Sequence, residues 1–324
     1  MNFVIIGPGY ISQRYVDKTV ALENARVVAV VGRSEDRTLE YAQKHGIPVC
    51  GTELKTVVKR SGAQAAIICT PNAYHHDAVV AAANLGLHCL CEKPLDISRE
   101  RQNEMIEVCR NQGVLLAVSY MHRFHKHLRY IKALIESGAL GRILVVDAAM
   151  KIFRGPEYYA ASSWHGTREI DGGGPFIQQG SHIVDLVLWL TGKYEKVLDA
   201  RRFNILHDIE VEDHGYAVIR FKNGAVGMIE VSTVCRGMNS QTLDVIGTKG
   251  HICADLERMI SFDVEGHSPP ALEPDEDLFT LLIADFIEAV ESDRRPLVTG
   301  ESAKTTTELI LDIYQKAGPV IEVV

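Results

Sequence analysis

From Asn2 to about Val118 the chain alternates short, β-branched apolar runs with amphipathic stretches. Residues 3–6, 27–31, 65–69, 88–91 and 115–118 read as strands. Residues 11–22, 35–45, 54–60, 75–85 and 99–111 place their apolar side chains at helical spacing. Because the strand runs are apolar on consecutive positions, both faces must be covered, as in a parallel sheet joined by crossover helices. The pattern predicts an α/β fold that begins with a doubly wound parallel sheet of Rossmann type over residues 1–120.

After Tyr120 the rhythm changes. A helix over 124–137 leads to a long strand over 142–153, an irregular stretch, and a helix over 176–190. Residues 197–264 read as successive strands, with hairpin signals at Lys222-Asn223-Gly224 and Gly247-Thr248-Lys249-Gly250. A loop rich in proline and acid (269–277) precedes helices over 278–291 and 301–316 and a last strand over 320–324. Residues 121–324 are therefore expected to form a second α/β domain around a large and mainly antiparallel open sheet.

Composition narrows the functional classes. A chain of 324 residues suits two cores better than one. The formal net charge of −8 argues against nucleic acid and anionic membrane surfaces as partners. The start of the chain has no basic, apolar and small-residue succession of a leader, and the expected compartment is the cytoplasm. Seven cysteines, scattered and partly inside apolar runs, fit reduced structural thiols.

Chemistry enters at the strand ends. Gly7-Pro8-Gly9-Tyr10-Ile11-Ser12 follows the first strand and opens the first helix, the context in which a G-x-G-x-x-G-like string binds a dinucleotide. Gly7 permits the turn, Gly9 lacks the Cβ that would obstruct a pyrophosphate, and the backbone N–H groups of Tyr10 and Ile11 face the anion. The third small residue is Ser12. At the end of the second strand no acid stands where an NAD enzyme holds the ribose hydroxyls. Arg33, Ser34 and Arg37 stand there instead, which favours NADP and leaves NAD open. The loops Thr70-Pro71-Asn72 with His75, and Glu92-Lys93-Pro94, follow two further strands and complete the expected cofactor site. Lys93 is followed by a proline that fixes the backbone presenting its amine, and this X-Pro bond is a candidate for the cis form.

In the second half, Asp171-Gly172-Gly173-Gly174 precedes a segment that helical spacing would arrange with Gln178, His182 and Asp185 on one face. Gly180 within it signals a close approach. A histidine at position 182 could exchange a proton near neutral pH or sit hydrogen-bonded in a core.

Taken in order, the glycine turn, Thr70-Pro71-Asn72 with His75, Glu92-Lys93-Pro94, Tyr120-x-x-Arg123-Phe124, the Gly172 to Asp185 string and Arg295-Pro296-Leu297-Val298 resemble the Gfo/Idh/MocA oxidoreductases. The resemblance implies an active site between two domains and a homodimer or homotetramer formed through the C-terminal sheet. It implies Lys93 and His182 as the catalytic pair, both also touching substrate, with the amine and the imidazole converging beside the nicotinamide. Where that family commonly carries aspartate four positions before the histidine, this chain has Gln178, assigned to orienting substrate. Arg123, Trp164 and Asp185 are further candidate substrate contacts.

The reading is a nicotinamide-dependent oxidoreductase acting on a secondary alcohol or ketone of a sugar, cyclitol or sugar nucleotide. Two alternatives stay open: a regulatory protein that senses the dinucleotide without turnover, and a glycosidase that uses tightly bound NAD in a transient redox cycle. No metal is expected, since His122, His125 and His127 show no ligand geometry on one helix face.

Overall fold

The computed structural model describes residues 1–323. The chain divides into two compact units, residues 1–121 with 276–304 and residues 122–275 with 305–324.

The first unit contains β1 (Asn2–Ile6), α1 (Tyr10–Thr19), β2 (Arg26–Val31), α2 (Glu35–His45), β3 (Val49–Gly51), α3 (Leu54–Ser61), β4 (Ala65–Ile68), α4 (His75–Ala83), β5 (His88–Cys91), α5 (Arg99–Asn111) and β6 (Leu116–Val118). Its six strands run in the order β3-β2-β1-β4-β5-β6, and every pairing is parallel. The expected Rossmann sheet is present, with one strand more than the hydropathy pattern marked. Val49, Cys50 and Gly51 make too short a run to signal β3, which forms by pairing its three residues with Ala29, Val30 and Val31. Serine hydroxyls at Ser34 and Ser98 accept backbone N–H bonds at the starts of α2 and α5, which is why those helices begin where they do. Of the seven thiols, Cys69, Cys89, Cys91 and Cys109 are buried in this unit and none of the seven is oxidised to a disulfide.

The second unit contains α6 (Lys126–Glu136), β7 (Ile143–Phe153), α7 (Pro156–Ala160), α8 (Ser181–Thr191), β8 (Tyr194–Asn204), β9 (His214–Phe221), β10 (Val226–Ser232), β11 (Val234–Gly247), β12 (Gly250–Asp255) and β13 (Met259–Val264). The chain then forms α9 (Leu278–Glu291), α10 (Gly300–Ala317) and β14 (Ile321–Glu322). The final strand expected over 320–324 is thus two residues long, and Val324 lies outside the described residues. The second sheet has eight strands in the order β13-β12-β11-β7-β10-β9-β8-β14; β7 with β10 and β8 with β14 are parallel and the rest antiparallel. Both expected hairpins are present, at 221–226 and 247–250. Along β7, Val146, Ala148, Met150 and Ile152 are buried while their neighbours are partly exposed, and α8 lies against this strand.

The first unit runs to residue 121 and takes up 276–304 as well, so the second unit is not one continuous segment to the end of the chain. α9 belongs to the first unit. Its Phe279 meets Tyr15 edge-on at 5.3 Å and its Phe286 lies 6.1 Å from Phe3. Each such buried aromatic contributes about 1.5–3 kcal/mol, and periodicity within α9 carries no trace of which core it joins.

Candidate active site

Four loops at the carboxyl ends of β1, β2, β4 and β5 form one end of the first sheet, and β1 and β4 flank the point where strand order reverses. Gly7 takes φ +96°, and a Cβ there would lie 2.8 Å from both the carbonyl carbon of Cys69 and the amide nitrogen of Thr70. Only glycine permits the β1 turn to pass this close to the backbone after β4. Gly9 is the opposite case: it is extended, and the space its missing Cβ faces holds no atom within 4 Å. The residues therefore leave an open cradle at the start of α1, as a dinucleotide pyrophosphate requires.

Ser12 is fully buried. Its hydroxyl accepts from the Gly9 N–H at 2.8 Å, donates to the Gly9 carbonyl at 2.8 Å, and lies 2.9 Å from the Tyr41 hydroxyl. The Gly9 N–H is consequently engaged within the turn. The N–H groups of Tyr10 and Ile11, which precede any intrahelical acceptor, are left to an anion. Past β2, Arg33, Ser34 and Arg37 are exposed. The Arg33 guanidinium lies 5.6 Å from the centre of the Tyr74 ring, and the Ser34 hydroxyl accepts the Arg37 N–H at the head of α2.

Two residues expected to touch the cofactor are buried as braces instead. His75 is 1% exposed, with Nδ1 2.7 Å from the Pro94 carbonyl and Nε2 2.9 Å from the Thr70 carbonyl. It ties the β4 loop to the turn after β5, and burial pushes its pKa down to about 4 against the pull of those two carbonyls. Glu92 accepts from the Tyr15 hydroxyl at 2.6 Å and from the Lys93 backbone N–H at 3.1 Å. The Tyr15 hydroxyl also lies 2.9 Å from that of Ser119, and burial followed by the Glu92 charge holds its pKa well above the ordinary tyrosine value. Lys93 follows this buried anchor, is partly exposed, and precedes Pro94 through a cis peptide bond, as its motif suggested. Thr70 and Pro71 are partly exposed in the neighbouring loop and Asn72 is buried there.

The second unit holds His182 in the first turn of α8. The helix expected over 176–190 begins only at Ser181, because the Gly180 N–H donates to the Pro175 carbonyl at 2.7 Å. A Cβ on Gly180 would lie 2.6 Å from that oxygen and 2.6 Å from Val231 Cγ1, which is the close approach the glycine signalled. Gln178 thus stands in the turn that precedes the helix, and it is buried. The partly exposed His182 ring meets the edge of His122 with 4.7 Å between centroids. Burial, and then the neighbouring His125, push the His122 pKa down to about 3, so a neutral imidazole abuts His182.

Arg123 and Asp185 pair with each other. Arg123 Nε donates to Asp185 Oδ2 at 2.8 Å and Nη2 to Oδ1 at 2.5 Å, and Thr306 Oγ1 donates to the same carboxylate at 2.9 Å. With 4% and 1% exposure these groups are buried and turned toward each other. The pair ties the segment before α6 to α8. Trp164 is partly exposed and its ring lies 4.1 Å from His165, which stacks on Tyr158 at 4.6 Å. Lys93 and Gly7 to Ile11 lie in the first unit; Trp164, Gln178 and His182 lie in the second.

Sequence reasoning overlooked Tyr15 and the pairing of His122 with His182. Tyr15 carried a weak signal, a tyrosine on the apolar stripe of α1 whose hydroxyl needs a buried partner. The pairing of His122 with His182 spans 60 residues and has no local signature.

Comparison with known proteins agrees with this architecture. Residues 1–120 match the model described as "Oxidoreductase family, NAD-binding Rossmann fold", and residues 128–253 match the "GFO/IDH/MocA C-terminal domain". Myo-inositol 2-dehydrogenase of Thermotoga maritima is 26% identical over 319 residues, 94% of this chain and 92% of that protein. The 1,5-anhydro-D-fructose reductase of Ensifer adhaerens is 25% identical over 309 residues, 92% and 90% of the two chains. Among solved structures, the WlbA dehydrogenase from Bordetella pertussis in complex with NADH and UDP-GlcNAcA has a TM-score of 0.89 and 28% identity, covering 98% of this chain and 96% of that one. Among the described residues, no helix is long and apolar enough to cross a membrane. With both halves of the chain matched and the cradle, strand order and motif residues in place, the chain belongs to the Gfo/Idh/MocA family of oxidoreductases.

Proposed function

We propose that this oxidoreductase moves a hydride between a nicotinamide cofactor and a secondary alcohol or ketone of a sugar, cyclitol or sugar nucleotide. The observation that carries the reading is the open face at Gly9, at the head of α1 and beside the strand-order reversal, where a Cβ-free backbone meets free helix N–H groups. Bound there, the cofactor supplies the hydride acceptor or donor.

The protein's own part is positioning and proton transfer. His182 takes the hydroxyl proton of the substrate during oxidation and returns it during reduction. The Lys93 ammonium donates a hydrogen bond to the same substrate oxygen and stabilises the negative charge that develops on it. Gln178 orients the substrate with an amide that neither gains nor loses a proton. The amide favours nucleotide-linked or amino sugars, and the UDP-GlcNAcA bound to WlbA supports that choice. His182→Ala and Lys93→Met should each lower kcat by roughly 10² or more while cofactor affinity stays within a few-fold. The assay follows nicotinamide absorbance with sugars, inositols and UDP-sugars, and unchanged turnover in either variant removes that residue from the mechanism.

The exposed Arg33, Ser34 and Arg37 after β2 support NADP as the preferred cofactor over NAD. A charge-assisted bond from Arg33 to the 2′-phosphate is worth about 1.5–3 kcal/mol, so Arg33→Asp should lower kcat/KM for NADP about ten- to a hundredfold and spare NAD. A wild-type preference for NAD overturns this assignment.

The second sheet supports assembly. The first half of β10 alternates exposed Val226 and Met228 with buried Gly227 and Ile229, an apolar pair on the outward side before Glu230, which pairs with Lys151 at 2.7 Å. A homodimer or homotetramer covering this face is the assembly we favour.

A further inference from the structure

Helical spacing offers His125 and His127 no third ligand, but the second unit places Asp275 beside them. One ring nitrogen of each histidine and one carboxylate oxygen of Asp275 all lie within 4.8 Å of one another. Lys126, between the two histidines, points its amine away to the Pro274 carbonyl at 2.9 Å. From this cluster, which does not depend on the hydride-transfer reading, we propose that His125, His127 and Asp275 bind a divalent transition metal, best matched by Zn2+, with water completing the coordination.

Each ligand is already held by a fixed partner on its far side. His127 Nε2 lies 2.9 Å from the Asp255 carbonyl, an acceptor only, so this nitrogen carries the proton and the lone pair the ring can offer is on Nδ1. Asp275 accepts the Lys126 backbone N–H on Oδ1 at 2.9 Å, which fixes the carboxylate while Oδ2 stays directed at His125 Nδ1, 2.6 Å away. His125 Nε2 lies 3.2 Å from His122 Nδ1. In the metal-bound form the neutral His125 imidazole would carry its single proton on Nε2, facing His122 Nδ1, and offer Nδ1 to the metal. Zinc ligands at about 2.0–2.2 Å stand little more than 3 Å apart, so the three donors, within 4.8 Å of one another, would draw together on binding. Two nitrogens and one oxygen suit Zn2+ over Mg2+ or Ca2+, which take mainly oxygen. The histidines are buried and the Asp275 side chain is about one-fifth exposed, so an ion has a route in from that side.

The test is calorimetric titration of chelator-treated full-length protein with ZnCl2, with Co2+ absorption as an independent report of coordination. One equivalent is expected to bind. His127→Gln and Asp275→Asn, on segments far apart in the chain, should each weaken binding at least tenfold while thermal melts show both folded; if one fails to fold, the other decides. His182→Ala should bind as the parent does. The proposal is overturned by absence of saturable binding, by parental affinity in the folded His127 and Asp275 variants, or by loss of binding in His182→Ala alone, which would put the ion on the other histidines.

Discussion

At the scale of single residues, the structure separates partly exposed candidate site residues from buried, mutually engaged ones. Lys93 and His182 are partly exposed, whereas Glu92, His75, Arg123 and Asp185 are buried and mutually engaged. Their motifs look alike in sequence because a charged residue beside a proline or glycine carries no mark of the direction it will face. Arg123 shows the difference in energy. Removing one partner of a buried, bidentate ion pair leaves the other charge without compensation, at a cost of about 3–5 kcal/mol. Arg123→Met should therefore lower stability by about that amount in urea unfolding, with KM of the remaining folded enzyme little changed. A large rise in KM with stability intact would return Arg123 to the substrate.

At the scale of elements, backbone approach decides where turns and helices begin. The β1 turn and the loop after β4 touch through the missing Cβ of Gly7, which also occupies a left-handed conformation. Gly7→Ala combines a strained φ with backbone overlap, and the penalty should be about 1–3 kcal/mol. Since relief requires the two cofactor loops to separate, affinity for NADH and NADPH should fall at least tenfold, measured by fluorescence titration alongside a thermal melt. Wild-type affinity with a lowered melting temperature would make this glycine a matter of stability only. Strands and helices were legible wherever a period persisted for a full element, as in α2, β7 and α9. Legibility failed for β3, which is too short to show a period, and at the head of α8, where the Gly180 contact with Pro175 and Val231 delays the helix.

At the scale of the whole molecule, the exposed Val226 and Met228 on β10 make assembly testable. Met228 is 48% exposed on β10, where a charge is tolerated by a solvated strand and rejected by a covered one. Met228→Glu should shift the mass in light scattering toward the monomer with the melt of each chain largely retained. An unchanged mass places any interface elsewhere. The amino-acid order determined by itself the family, the two sheets, the glycine cradle and the candidate catalytic pair, because periods of two and 3.6 residues and motifs at strand ends are local properties. Only tertiary packing decided that α9 joins the first core, that Arg123 closes on Asp185, and that Asp275 arrives beside His125 across 150 residues of chain. These pairings depend on which surfaces the folded backbone brings together, and nothing in the spacing of either partner records the other.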